Sequence, residues 1–301
     1  MKAWVLLLGL LAPLALAQSA LELEVLQRTN TLRAQSGLPP LAWEPLAYQS
    51  ASQHARDMLE RGYFAHQTPE GLSSADRMHR AGILEVVTGE NLASFQGYPE
   101  AEVPARALSG WMNSPGHRAN LLNPSFTHLG VALVRKGDKV MVVQNFVARP
   151  FDPQVSRTPA IAERETVALV GSAPSKLGVF VGGGLYATLE GRINTRLELP
   201  PGTTPDYGLF DGQTWWGVQP GERGVQLSSR IEKSRVPGTQ VRFTLPAGSY
   251  TLSVGAQPQF WQNLSGPATL ELTLPNTLDV LWIGVRQKDQ VRFTHRIPLG
   301  L

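Results

Sequence analysis

Cysteine is absent from the 301 residues of this chain. That excludes a thiol nucleophile and a disulfide framework, so an exported protein of this sequence has to hold together through its cores. Charge is scarce too. The formal +3 falls to about +2 once Lys2 leaves with the N-terminal segment described below, and no Lys/Arg cluster stands out. A nucleic-acid footprint is excluded on that ground. Beyond residue 17 no apolar run is long enough to cross a bilayer and no serine sits in a nucleophile-elbow context, and from about residue 161 onward no repeat recurs at a fixed period.

What is present begins with MKAWVLLLGLLAPLALAQ. Lys2, the apolar run Ala3 to Leu16 and the exit Ala15-Leu16-Ala17 have the form of a secretory signal peptide, residues 1–17, cut after Ala17. The run is shorter than the ~20 apolar residues of a span and Pro13 interrupts it, which argues against a retained anchor. The expected mature chain is secreted, to the cell envelope, a periplasm or the exterior, with no transmembrane span.

Residues 18–148 read as mixed α and β. Leu21, Val25, Thr29 and Leu32 share a helical face that Gly37-Leu38-Pro39-Pro40 ends. A second helix opens at Pro45, carries Ala47, Ala51, His54, Ala55, Met58 and Leu59 on one stripe, and closes at Gly62. Ser74 is the expected cap of a shorter helix running to Gly82, and a further helix leads to Trp111 and Met112. Leu129–Val134 and Val140–Val147, joined by Lys136-Gly137-Asp138, predict a hairpin. Residues 149–160, with three prolines, read as a linker. From 161 to 301, β-type runs such as VRFTLP and VLWIGVRQ alternate with Gly, Pro, Asn and Ser, which predicts an antiparallel β-sandwich-like domain. The fold class is therefore α+β in the first part and all-β in the second.

Chemistry-bearing residues gather in three turn-like settings: His66 in YFAHQTPEG, Glu90 in TGENLA, and His117 in WMNSPGHRAN. Ser114, Pro115 and Gly116 make a tight bend before His117, with Ser114 as a capping hydroxyl. The gaps between the three residues match no local zinc motif, so spacing alone does not bring them together. His54 reads as a core histidine, His79 as a surface cation near a helix end, and His295 has no evident partner. His128, near a strand start, could approach a site, although no motif requires it. Asn91 and Asn120 read as bracing residues, and Trp111 as packing beneath the helix that delivers Ser114 and His117.

GYFAHQTPEG, GENLA and GWMNSPGHRANLLNPSFTHLGVAL, in that order and preceded by NTLRAQSGLPPLAWEPLAYQSASQHARDM, resemble the CAP superfamily of secreted proteins, also called SCP-like, in its bacterial branch. The resemblance covers about residues 22–148. It implies an α-β-α sandwich with a central antiparallel sheet and an open cavity holding His66, Glu90 and His117. The second acid found in many members falls at Ser114, which cannot supply its charge. Two neutral imidazoles, His66 and His117, are expected to hold a divalent transition metal such as zinc weakly and exchangeably. Glu90 then has three readings: third ligand, acceptor of a proton from bound water, or hydrogen-bond partner of an imidazole N–H. The last asks for least.

In the second domain, Trp215-Trp216 and Phe260-Trp261 are expected as core aromatics, with stacking on sugar rings as the alternative. The functional expectation is an exported module whose cavity, with Ser114 at its edge, binds a small molecule, a lipid, a cell-wall ligand or a metal. A zinc-dependent, peptidase-like hydrolase with Glu90 as its catalytic base is one alternative, and a structural envelope protein is another.

Overall fold

The computed structural model describes residues 19–288 and 290–300; the leader expected at 1–17 lies outside them, as do the side chains of Gln259 and Phe260. Two compact units divide the chain. One comprises residues up to Ala81 together with Gly89–Phe146, the other Gly82–Thr88 together with Val147–Leu301. This differs from a contiguous split near residue 148, because a short stretch from within the first part groups with the second. Among the described residues, no helix is long and apolar enough to cross a membrane.

In the first unit, α1 (Ala20–Gln35) starts on a capping box: the Ser19 hydroxyl accepts from the Glu22 N–H, and Glu22 reaches back to the Ser19 N–H. Helix α2 (Pro45–Arg61) has proline in its first turn and ends on Gly62 at φ 72°, a left-handed position that glycine takes without strain. Helix α3 (Ser74–Arg80) is capped by Ser73, one residue earlier than expected, because Asp76 completes the box with Ser73. Helices α4 (Val103–Asn113) and α5 (Pro115–Leu121) meet at Ser114. The Ser114 hydroxyl makes no capping bond there; Pro115, with no N–H to satisfy, opens α5 instead.

Four strands form the sheet of this unit: β1 (Ala42–Trp43), β2 (Thr88–Gln96), β3 (His128–Lys136) and β4 (Lys139–Val147), in the order β1-β3-β4-β2. The short pair β1–β3 is parallel, so the sheet is not antiparallel throughout. Alternation along the strands assigns the two faces. Leu92, Ala132, Met141 and Val143 pack against Ala51, Ala55 and Met58 of α2. On the other face, Gln144 bonds Thr29 of α1, and Asn91 bonds the His117 carbonyl of α5. Helices thus cover both faces, giving the α-β-α sandwich. Complete burial of a side chain such as Met58 contributes about 1.5–3 kcal/mol.

The second unit is all-β. Strand β5 (Ser156–Val181) pairs along its first part with β9 (Gln226–Val254) and along its second part with β6 (Gly184–Leu199) and β7 (Asp206–Phe210). Strand β8 (Trp215–Gly217) extends β7, while β10 (Gln259–Pro275), β11 (Val280–Gln287) and β12 (Gln290–Pro298) complete the β9 end. At 29 residues, β9 is long enough to reach two clusters, with Leu227 packed against one and Phe243 and Leu252 within the other. Leu169, Leu177, Val179 and Ile193 belong to one, and Phe243, Leu252, Leu281 and Ile297 to the other. The expected all-β domain is thus built on two hydrophobic clusters, with β9 contributing to both. Residues 156–160, read as linker, already belong to β5; Pro159 is tolerated where β6 has not yet joined and that edge is unpaired. Residues 84–86 lie along β12: the Val86 N–H donates to the Thr294 carbonyl and the Arg296 N–H to that of Leu84. Among the aromatics, Trp261 is buried, Trp215 half-buried, and Trp216 exposed with its indole N–H donated to Asp211.

Gly130 lets α2 lie directly on β3. A Cβ at that position would stand 2.0 Å from the Tyr48 nitrogen and 2.3 Å from the Ala47 carbonyl carbon, both backbone atoms that cannot swing aside. Gly130→Ala should therefore destabilise the first unit by about 1–3 kcal/mol or more, read as a lower urea midpoint. An unchanged midpoint would remove the close approach.

Candidate functional site

Glu90 lies on β2, at an edge of its sheet, and its carboxylate is buried, with the side chain 2% exposed. TGENLA was expected as a turn; it is strand, and its polar residues are buried because each one is paired. Glu90 Oε1 takes the Nδ1–H of His66 at 2.8 Å, and Oε2 takes an Arg77 N–H at 2.5 Å. A second Arg77 nitrogen donates to the backbone carbonyls of His66 at 2.7 Å and Leu72 at 3.0 Å. His66 is consequently fixed at its carbonyl by Arg77 and at its ring by Glu90. That leaves Nε2 as the outward nitrogen, on a side chain that is 57% exposed. A cavity of about 540 Å³ opens here, lined by Ala65, His66, Gln67, Ser73, Ser74 and Glu90.

The glycine before Glu90 has a packing cause. A Cβ on Gly89 would stand 2.8 Å from the Phe126 ring and 3.1 Å from Asn120 Oδ1. Without it, the Asn120 amide reaches the Glu90 carbonyl at 3.1 Å and Asn91 Oδ1 at 3.0 Å. Asn91 in turn donates to the His117 carbonyl and to Gln144, both at 3.2 Å, and Gln144 donates to the Thr29 hydroxyl at 3.0 Å. Trp111 is buried and donates its indole N–H to the Leu92 carbonyl at 2.9 Å, tying α4 to β2. These bonds hold α5, and with it His117, to the strand that carries Glu90.

The predicted site residues are brought together unequally. His66 and Glu90 are in direct contact. His117 is half-buried and does not line the cavity, but its ring is close enough for the His66 charge to act on it. Burial pushes the His117 pKa down, and the neighbouring His66 charge pushes it further the same way. The hydrogen bond from Glu90 pushes His66 the other way, above the usual imidazole value. Ser114 is half-buried and does not line the cavity either. The other histidines lie elsewhere. His54 is buried with Nε2–H donated to the Ala65 carbonyl at 2.9 Å. His128 pairs with Ala42, at the opposite edge of the sheet from β2. His295 is buried and has partners after all: its ring bonds the Phe151 carbonyl at 3.1 Å and the Thr294 hydroxyl at 3.0 Å.

Arg77 is the residue that sequence reasoning missed. Its place in the last turn of a short helix reads as an ordinary complement to the helix dipole, and all three of its acceptors lie outside that helix. Among the described residues, no group of three or more His, Asp or Glu side chains is placed to hold a metal ion. The imidazoles of His66, through Nε2, and His117 are the available nitrogen donors. Both Glu90 oxygens accept hydrogen bonds, one from His66 and one from Arg77.

Residues 26–146 match the family model of CAP, the cysteine-rich secretory protein family; this part of the chain is a CAP domain, here without a cysteine. The uncharacterized protein YkwD of Bacillus subtilis (strain 168) is 41% identical over 131 residues, which is 44% of this chain and 48% of that protein. The uncharacterized membrane protein YlbC of the same organism is 38% identical over 132 residues, 44% of this chain and 36% of that one. The chain thus spans less than half the length of the curated relatives it matches. Among solved structures, an extracellular protein containing a SCP domain from Bacillus anthracis str. Ames is 35% identical, with a TM-score of 0.39 over 43% of this chain and 40% of that chain.

Two outcomes are expected from this geometry. Asn91→Ala removes a donor and an acceptor from the chain of bonds between β2, α5 and Gln144, and should cost about 1–3 kcal/mol, with faster amide exchange in α5 as the local readout. For His54, burial pushes the folded-state pKa below that of the unfolded chain. Its contribution is whole above about pH 6.5 and is lost as the pH falls toward the folded value. His54→Gln should flatten the acid side of a plot of urea midpoint against pH; an unchanged acid slope would assign that loss to other groups.

Proposed function

We propose that this is an exported CAP-domain binding module, in which the cavity beside His66 takes up a small ligand or a divalent transition metal without turning it over. The observation that carries this reading is the engagement of Glu90. A general base must reach the proton of a water molecule, and here each Glu90 oxygen already accepts a hydrogen bond, from His66 and from Arg77, on a side chain only 2% exposed. Glu90 instead orients the imidazole, as a carboxylate behind a metal-ligating histidine commonly does. The hydrolase reading would need water to reach a remaining lone pair of Glu90 in a buried position. Ser114 supplies no negative charge that could take over the task.

Two imidazoles suit a divalent transition metal, which would polarise water or a ligand oxygen there. With two protein nitrogens, one of them on a residue outside the cavity lining, the affinity is modest and the ion exchanges. Export rests on the N-terminal segment, and placement in the envelope or outside it follows from that. The ligand is a small molecule, a lipid or a piece of cell wall that presents polar groups to His66, Ser73 and Ser74.

Titration calorimetry with zinc checks this. Uptake is expected near pH 7.5, weakening below about pH 6.5 as protons compete for the rings. His66→Ala/His117→Ala should abolish it. Equal uptake by that double variant and the wild type would remove these residues from the site. Zinc-stimulated peptide cleavage that disappears in Glu90→Gln would overturn the binding reading in favour of hydrolysis.

A further inference from the structure

We infer that Arg77 is a positioning residue that fixes which atom of residue 90 meets His66 Nδ1, and so holds the arrangement in which Nε2 faces the cavity as an acceptor. The inference rests on the binding reading for its consequence, and on geometry for its substance. Arg77 is 9% exposed, and its guanidinium touches His66 through two routes at once. Directly, it holds the His66 carbonyl at 2.7 Å and, with the Leu72 carbonyl at 3.0 Å, the far end of the same loop. Indirectly, it holds Glu90 Oε2 at 2.5 Å, while Glu90 Oε1 meets His66 Nδ1 at 2.8 Å. The loop between is itself closed: the Leu72 N–H donates to the Thr68 hydroxyl, and the Thr68 N–H to the Leu72 carbonyl.

A guanidinium can only donate. Whatever group occupies position 90 must therefore turn an acceptor toward Arg77. With glutamate this leaves a second acceptor for His66, so Nδ1 carries the proton and Nε2 presents its lone pair to the cavity. With glutamine the constraint becomes informative. The amide oxygen must face Arg77, which turns the NH₂ toward His66 Nδ1. Nδ1 then has to accept, the proton moves to Nε2, and the cavity meets an N–H where it had a lone pair. With glutamate the carboxylate itself keeps the proton on Nδ1, so Arg77→Met alone should still show Nδ1–H; Arg77 decides the tautomer once the group at position 90 can turn either a donor or an acceptor toward His66.

The experiment uses the full mature chain: wild type, Glu90→Gln, Arg77→Met, and the double variant Glu90→Gln/Arg77→Met. The His66 tautomer is read from imidazole nitrogen NMR spectra above its titration, zinc affinity from calorimetry, and folding from the thermal transition. Wild type should show Nδ1–H. Glu90→Gln should show Nε2–H and lose zinc affinity by about 10-fold or more. In the double variant the amide is free to flip, Nδ1–H should return in part, and zinc affinity should rise above that of Glu90→Gln. A merely structural role for Arg77 predicts the opposite, a double variant worse than either single one. Glu90→Gln that keeps the wild-type tautomer, or a double variant that shows no return of Nδ1–H, overturns the inference. Should Arg77→Met not fold, Arg77→Lys replaces it; a single ammonium that leaves the amide less constrained should give an intermediate tautomer ratio, and a ratio equal to that of Glu90→Gln alone counts against the inference. Wild type that takes up no zinc defeats the binding reading, while the tautomer of Glu90→Gln still decides the role of Arg77.

Discussion

A buried carboxylate with two donors governs the first unit. Glu90 is nearly inaccessible, and a charge in that position is sustained only by partners that match it. Arg77 arrives from α3 and His66 from the loop after α2, so one side chain fastens three segments. The backbone beside it fastens a fourth, since the Asn120 amide of α5 takes the Glu90 carbonyl. The cavity is what remains on the solvent side of these bonds. Its shape follows from where the polar groups had to be satisfied.

The edge position of β2 makes that convergence feasible. A central strand would have neighbours on both sides and helices on both faces, leaving no approach for a loop and a helix end together. On β2, Glu90 and Leu92 point to the face covered by α2, and Asn91 points to the face of α1 and α5. Three consecutive residues thus address both layers of the sandwich. Gly89 adds the clearance for Asn120, which explains a glycine in that strand without appeal to its φ, an ordinary one.

Much of this was legible. Helices α1 and α2 followed from apolar periodicity and from their stops, and the hairpin β3–β4 from alternation around Gly137. The CAP resemblance ordered His66, Glu90 and His117, which spacing could not have gathered. What escaped did so for physical reasons. Strand β2 carries glutamate and asparagine at buried positions, so a hydropathy pattern reads it as a turn; only partners far along the chain make those residues tolerable indoors. Arg77 escaped for the same reason, because its acceptors belong to other segments. Ser73 and Ser74 were one residue apart as caps, and the reciprocal bond of Asp76 chose between them. In the second unit alternation revealed strands but not their continuity. No local signal says that β9 runs on from one cluster into a second, since that depends on which partner leaves and which joins.

The two histidines divide their work by environment. His66 is exposed with a carboxylate behind it, so its charged form is favoured; His117 is more enclosed, beside a cation, so its neutral form is favoured. Environments that push two like groups apart are how a site obtains a donor and an acceptor at one pH. Such a pair can grip a ligand that both donates and accepts, or can yield both lone pairs to a metal once His66 is neutral. The carboxylate behind His66 already accepts a hydrogen bond on each oxygen and is nearly inaccessible to solvent. How Glu90 is buried thus bears directly on the proposed binding role, because the two bonds that sustain its charge are also the ones that orient His66.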